Sequence, residues 1–211
     1  MFLLASALWM SAGAAFAQAS PPQVDPASLT ARDHHEGVLI AAVPCSDPAR
    51  AKEIFGSKNP VSAGILPVEV YLRNETDQLI RVDLETLRLD VAVPDGQRDH
   101  LEALSVEQVA REILHPAGAG DPDSARKHIP RPIPMPSHDK SQDKLTEKFR
   151  PLALETDIIP PHGTIHGYIF FDLGHDFSLL ADSTLYVPDV IVVPTHHALT
   201  YFELNLASAA R

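Results

Sequence analysis

The chain has 211 residues, 45% of them hydrophobic, which suits one good-sized domain, or one domain plus an arm. Its formal charge of −11 lacks the basic footprint that nucleic acid or an anionic membrane surface demands. One cysteine, Cys45, excludes an intramolecular disulfide, so packing alone must hold the fold.

Residues 1–17, MFLLASALWMSAGAAFA, have the form of a secretory signal peptide. An apolar core from Phe2 to Met10 leads through small residues to an Ala15-Phe16-Ala17 cleavage pattern, and Ala17-Gln18-Ala19 offers a second one. No Lys or Arg precedes the apolar run. The run is too short and too rich in small residues for a membrane span. A lipid anchor would need a cysteine directly after it, and Cys45 comes far too late. The mature chain is expected to start at Gln18 and to be periplasmic or secreted.

Residues 18–36 carry Pro21, Pro22 and Pro26 and read as a flexible N-terminal arm ending in His34-His35-Glu36. A single β domain is expected over 37–211. Gly37 to Val43 is a continuous apolar run, the mark of a strand buried on both sides. Cys45 follows as a partly buried strand-end residue rather than a functional thiol. From Asp47 to Ile54 a short helix is expected, with Asp47 as N-cap and Pro48 at its first position.

Gly64 to Leu89 is the clearest β signal. Val68, Val70 and Leu72 alternate with Glu69, Tyr71 and Arg73, as on a strand with one face buried and the other wet. The polar stretch Asn74 to Gln78 reads as a hairpin turn, after which Ile80, Val82 and Leu84 resume the alternation. At Glu85-Thr86 the phase slips by one residue. A bulge or a corner between two sheets absorbs such a slip, and the corner is favoured.

Pro94-Asp95-Gly96 opens an insertion assigned to 94–157. Within it Leu104, Val106, Val109, Ile113 and Leu114 share one helical face, predicting a helix over about 106–114 with a Ser105/Gln108 capping box. Its apolar stripe is expected to lie across an open end or edge of the β domain. Residues 115–140 form a Pro-rich loop containing Ile129-Pro130-Arg131-Pro132-Ile133-Pro134-Met135-Pro136. That run reads as a stiff spacer or, alternatively, a polyproline II strip for an aromatic groove. A second helix is expected around Gln142 to Arg150, with Ser141 as N-cap.

The β pattern returns at Thr164 to Asp172, where Ile165, Gly167, Ile169 and Phe171 share a face and Gly167 marks a close backbone approach. Ser183 to Val193 holds two β-rich halves split by Pro188-Asp189. Pro194-Thr195-His196-His197 reads as a turn, and Thr200 to Leu206 as a final strand with Phe202, Leu204 and Leu206 inward. Six to eight strands without β/α alternation argue for an all-β, antiparallel sandwich.

Gly64, Pro67 and Arg73-Asn74, then Pro160, Gly163, Gly167 and Phe170-Phe171-Asp172, followed by two closing strands, form a recognisable order. It resembles the immunoglobulin-like β-sandwich domains of small exported bacterial proteins and lipoproteins. The resemblance implies fold and compartment rather than chemistry. The long insertion and the missing anchor cysteine depart from it.

Eleven histidines invite a metal reading, copper or zinc in a periplasmic protein. His162 and His166 are four apart, about 13 Å at strand rise, too far to share an ion unless the turn at Gly163 folds them together. His196 and His197, in a turn, are the better pair. A site needs three or four ligands with support behind them, and spacing assembles none. Nor does the chain carry G-x-S-x-G, H-E-x-x-H, a Gly-rich phosphate loop or paired cysteines. The sequence therefore points to an exported binding or assembly module whose partner is another envelope or extracellular protein. Metal handling through histidines is the first alternative, and a hydrolase with an unfamiliar site the second.

Overall fold

The computed structural model describes residues 24–92, 97–116 and 140–209. The signal peptide over 1–17, the turn at 94–96, most of the Pro-rich loop, and His128 and His138 lie outside the described residues. Among the described residues the architecture is mostly antiparallel β, with three four-stranded sheets and three α-helices.

The first sheet has the order β1 (Ala31–His35), β2 (Val38–Pro44), β3 (Ile65–Asn74), β8 (Thr164–Asp172). Glu36 and Gly37, both at positive φ (53° and 76°), make the tight turn that folds β1 onto β2, with His35 opposite Val38. β2 is buried almost throughout, as its unbroken apolar run predicts. The second sheet has the order β11 (His197–Ala198), β10 (Val190–Val192), β4 (Ile80–Val82), β7 (Ile158–Ile159). The third has β12 (Phe202–Asn205), β9 (Thr184–Val187), β5 (Arg88–Ala92), β6 (Arg98–Glu102). The main core draws on all three, with Val68, Val70 and Leu72 of β3 meeting Ile80 and Val82 of β4, Leu89 of β5 and Phe202 of β12.

The expected hairpin over 64–89 does not form. β3 pairs with β2 and β8, whereas β4 pairs with β10 and β7 in another sheet. The reason lies in Asn74, which is fully buried. Its Nδ2 donates to the carbonyls of Gln78 (2.6 Å), Pro160 (3.1 Å) and Ile159 (3.3 Å), and its Oδ1 accepts from Thr76 N and Oγ1 at 2.9 and 2.7 Å. The backbone N–H of Asn74 donates to Gly163 O at 2.9 Å. One side chain thus pins both connections between the first and second sheets, 74–80 and 159–164. The corner expected at Glu85-Thr86 is present as a 3-10 turn at Leu84–Thr86, which carries the chain from β4 to β5 in the third sheet. Pro188-Asp189 makes a second such passage, from β9 to β10.

Three further expectations are corrected. The arm over 18–36 is folded in its latter part, since Asp25 caps a 3-10 turn at Pro26–Ser28 and β1 begins at Ala31. Side chains of this segment then satisfy the edge of β12. Asp33 Oδ2 accepts from Glu203 N (3.1 Å), His35 Nε2 donates to Tyr201 O (3.2 Å) and Glu36 Oε1 accepts from Thr200 N (3.0 Å). That last bond holds the Glu36 carboxyl below its ordinary range. Second, the insertion over 94–157 contains a strand rather than helix and loop alone: β6 lies wholly within it, and β7 begins at Ile158, directly after its end. β6 is a polar edge strand with only Leu101 partly turned inward, so it carries no hydrophobic alternation. Third, β3 has no wet face, because Tyr71 is 5% exposed and Glu69 only partly exposed.

What covers that second face is a helical layer. α1 (Pro48–Phe55) has the expected Asp47 cap, and α2 (Val106–Leu114) the expected capping box. α3 (Lys140–Phe149) starts before Ser141, which therefore lies inside the helix and is not its N-cap. All three bury their apolar stripes in a second core with Ile65, Tyr168 and Phe170 of the first sheet, on its outer face rather than across an open end. Phe55 is the centre, with ring centroids 5.5, 5.0 and 6.0 Å from those of Phe149, Tyr168 and Phe170. Gly167 is required where the chain passes β8, because a Cβ there would meet Leu154 N at 2.6 Å.

Asn74→Ala removes a buried amide and strands its backbone partners. It is expected to cost about 2–4 kcal/mol, read as a lower urea midpoint at unchanged slope.

Candidate functional site

The edge of β8 away from β3 is met by two separate segments. Leu104 N donates to Phe170 O at 2.8 Å, and Leu154 N to Tyr168 O at 3.0 Å. Between them lies an open groove of about 290 Å³, walled by Leu84 and Glu85 of the corner turn, by Ala103 to Gln108 and by Ala153 to Glu155. Tyr168, Ile169 and Phe170 line its floor. The capping box shapes one wall, with Gln108 N donating to Ser105 Oγ (3.2 Å) and Ser105 N to Gln108 Oε1 (2.7 Å). The groove continues through Leu84, Glu85 and Glu155 into a polar depression of about 340 Å³ that adds Arg81, Asp83 and Asp157. Arg150 clasps the rim, with Nη2 2.7 Å from Glu107 Oε1 and Nη1 3.9 Å from Glu155 Oε1. Among the described residues Glu85 and Asp157 have no ion-pair partner. An apolar floor under an acidic rim can hold an apolar group with a positive charge beside it.

A part-buried polar cluster lies on the outer face of the first sheet. Tyr71 Oη donates to Glu69 Oε1 at 2.8 Å, and Arg50 Nη2 lies 3.5 Å from Glu69 Oε2. Burial, then the hydrogen bond it donates to the Glu69 carboxylate, pushes the Tyr71 phenol up to about 12. Burial also pushes Tyr168 well above the ordinary phenol range. Both phenols stay protonated at neutral pH and are not bases. Cys45 is 1% exposed, more buried than its strand-end position suggests, with its N–H on Pro67 O at 2.8 Å. Burial raises its thiol, which keeps it protonated and unreactive.

The histidines singled out by spacing are scattered. His162, at φ 53°, bonds Asp77 Oδ1 through Nε2 at 2.8 Å, while His166 stacks on Tyr71 with centroids 5.5 Å apart. His196 lies in the turn, at φ 53°, but His197 has passed into β11 and lines a different depression with Glu36 and Thr76. Among the described residues no three His, Cys, Asp or Glu side chains gather as a metal site would require. From the sequence, contact is expected at edge strands and along the insertion over 94–157, which supplies two of the groove's walls, but no residue of the groove stands out. Its residues come from four separated stretches, and no local period marks them.

No protein-family model matches the chain, and no curated protein is significantly similar to it. Among solved structures it is similar to a functionally unknown protein from Listeria monocytogenes EGD-e, at 12% identity and a TM-score of 0.35. That match covers 74% of this chain and 68% of the other, and the likeness is too slight to bear on fold or function. Among the described residues no helix is long and apolar enough to cross a membrane.

Because the Tyr71 phenol sits at about 12 in the folded chain against 10.0 in its ordinary state, its contribution to stability is complete below pH 10 and is lost as pH rises from 10 to about 12. Urea midpoints across that range should fall more steeply in the natural protein than in Tyr71→Phe.

Proposed function

We propose that this protein is an exported, non-enzymatic binding or assembly module of the cell envelope. It has an immunoglobulin-like sandwich at its centre and holds a partner protein in the groove along β8. The single observation that carries the reading is the groove itself. It has an apolar floor at a sheet edge, walls from three different parts of the chain and an open mouth. Binding sites are commonly concave, apolar-floored and furnished with a few placed polar groups, and this groove has that form. The helical layer supports the reading, because the start of α2 forms part of one wall. The buried, protonated Tyr71, Tyr168 and Cys45 act as structure rather than as reactive groups. Export rests on the pattern MFLLASALWMSAGAAFA with its cleavage pattern at Ala15-Phe16-Ala17.

A photocrosslinking residue placed at Glu85 on the rim, in living cells, should give a discrete adduct larger than the chain. The same residue at Glu53 on α1, exposed and outside the groove's lining, should not. No adduct at either position, or the same adducts at both, would sink the reading. N-terminal sequencing of protein recovered outside the cytoplasm should begin at Gln18, and an unprocessed chain found only in the cytoplasm would remove the export half.

A further inference from the structure

Resting on the reading of the groove as a partner site, we propose that its occupant is a cationic amphipathic segment of another protein. One large apolar side chain seats on the floor, and lysines or arginines lie along the rim. The floor supplies Tyr168, Ile169 and Phe170, with Leu84 and Leu104 on the walls. Carboxylates stand along one continuous margin at Asp83, Glu85, Glu155 and Asp157.

Among the described residues, Arg150 and Arg81 are the cations placed at this margin. Arg150 is occupied by Glu107 and Glu155, and Arg81 lies in the polar depression among the four carboxylates. The local excess is therefore negative, in a chain whose formal charge is already −11. An anionic peptide, nucleic acid or anionic lipid is repelled there. The first turn of α2 would otherwise attract an anion, but its capping box answers the Ser105 and Gln108 N–H groups and Glu107 sets a negative charge against its dipole. The apolar seat supplies affinity, and the carboxylates supply selection and a faster encounter, since exposed ion pairs contribute little each.

The test is a fluorescence-anisotropy titration of the purified protein with three dye-labelled synthetic peptides. One alternates lysine and leucine, one glutamate and leucine, one lysine and serine. The lysine–leucine peptide should bind, and added salt should weaken it. The glutamate–leucine peptide should not bind, and the lysine–serine peptide should bind at least about tenfold more weakly. Glu85→Lys with Glu155→Lys, both exposed, should cut lysine–leucine binding by at least about tenfold while leaving the melting temperature unchanged. Ala103→Trp, which fills the groove from its wall, should do the same in a chain that still melts cooperatively. Equal binding of the lysine–serine peptide, or binding that survives reversal of the rim charges, overturns the proposal. A crosslink at Glu85 without lysine–leucine binding overturns the cationic occupant and leaves the partner reading standing. Loss of both takes down both.

Discussion

A buried amide decides how this chain is wired. Asn74 sits where β3 ends, and its side chain holds carbonyls from two connections distant in sequence, Gln78 on one and Ile159 and Pro160 on the other. The amide is fully buried and the Ile159 carbonyl it holds is buried with it, so these groups would be costly left alone. Satisfying them together requires that both connections pass one point, so the chain leaves the first sheet at Asn74 instead of folding back on it. The second sheet, the corner at Leu84–Thr86 and the third sheet all lie downstream of that departure.

The first sheet is then buried on both faces. One face meets the core shared with the other sheets, and the other meets three helices seated on an aromatic cluster around Phe55. This explains why Tyr71 and Tyr168 are buried and protonated, and why Glu69 needs both a phenol and a guanidinium. It also leaves β8 with an edge that no full strand covers. Leu104 and Leu154 each supply one bond to it, and the space between their segments is the groove. The candidate site is thus a consequence of how the helical layer joins the sheet.

Two of the sheet edges are treated differently. At β12 the side chains of Asp33, His35 and Glu36 answer the edge backbone directly, with the His35 ring stacked on Phe202 at 3.8 Å. That is protection of an edge by neighbouring side chains. At β8 the edge is only partly answered and opens into a concave, acid-rimmed surface. The contrast gives the binding reading its direction.

Local chemistry was legible wherever it settled the outcome unaided. Asp47-Pro48 and Ser105 with Gln108 start helices because their side chains and fixed φ satisfy the first free N–H groups, whatever lies around them. Thr164 to Asp172 forms its strand with Ile165, Ile169 and Phe171 facing the core because alternation is intrinsic to a pleated chain. The slip at Glu85-Thr86 marked a real change of sheet for the same reason. Which strands pair is a different matter. Asn74 to Gln78 has the composition of a hairpin turn, yet the real tight turn is Glu36-Gly37, and the polar strand β6 carries no pattern at all. Pairing, the burial of Tyr71 and the groove depend on contacts between residues far apart in sequence, and only the tertiary structure brings their buried polar and apolar groups to the partners that satisfy them.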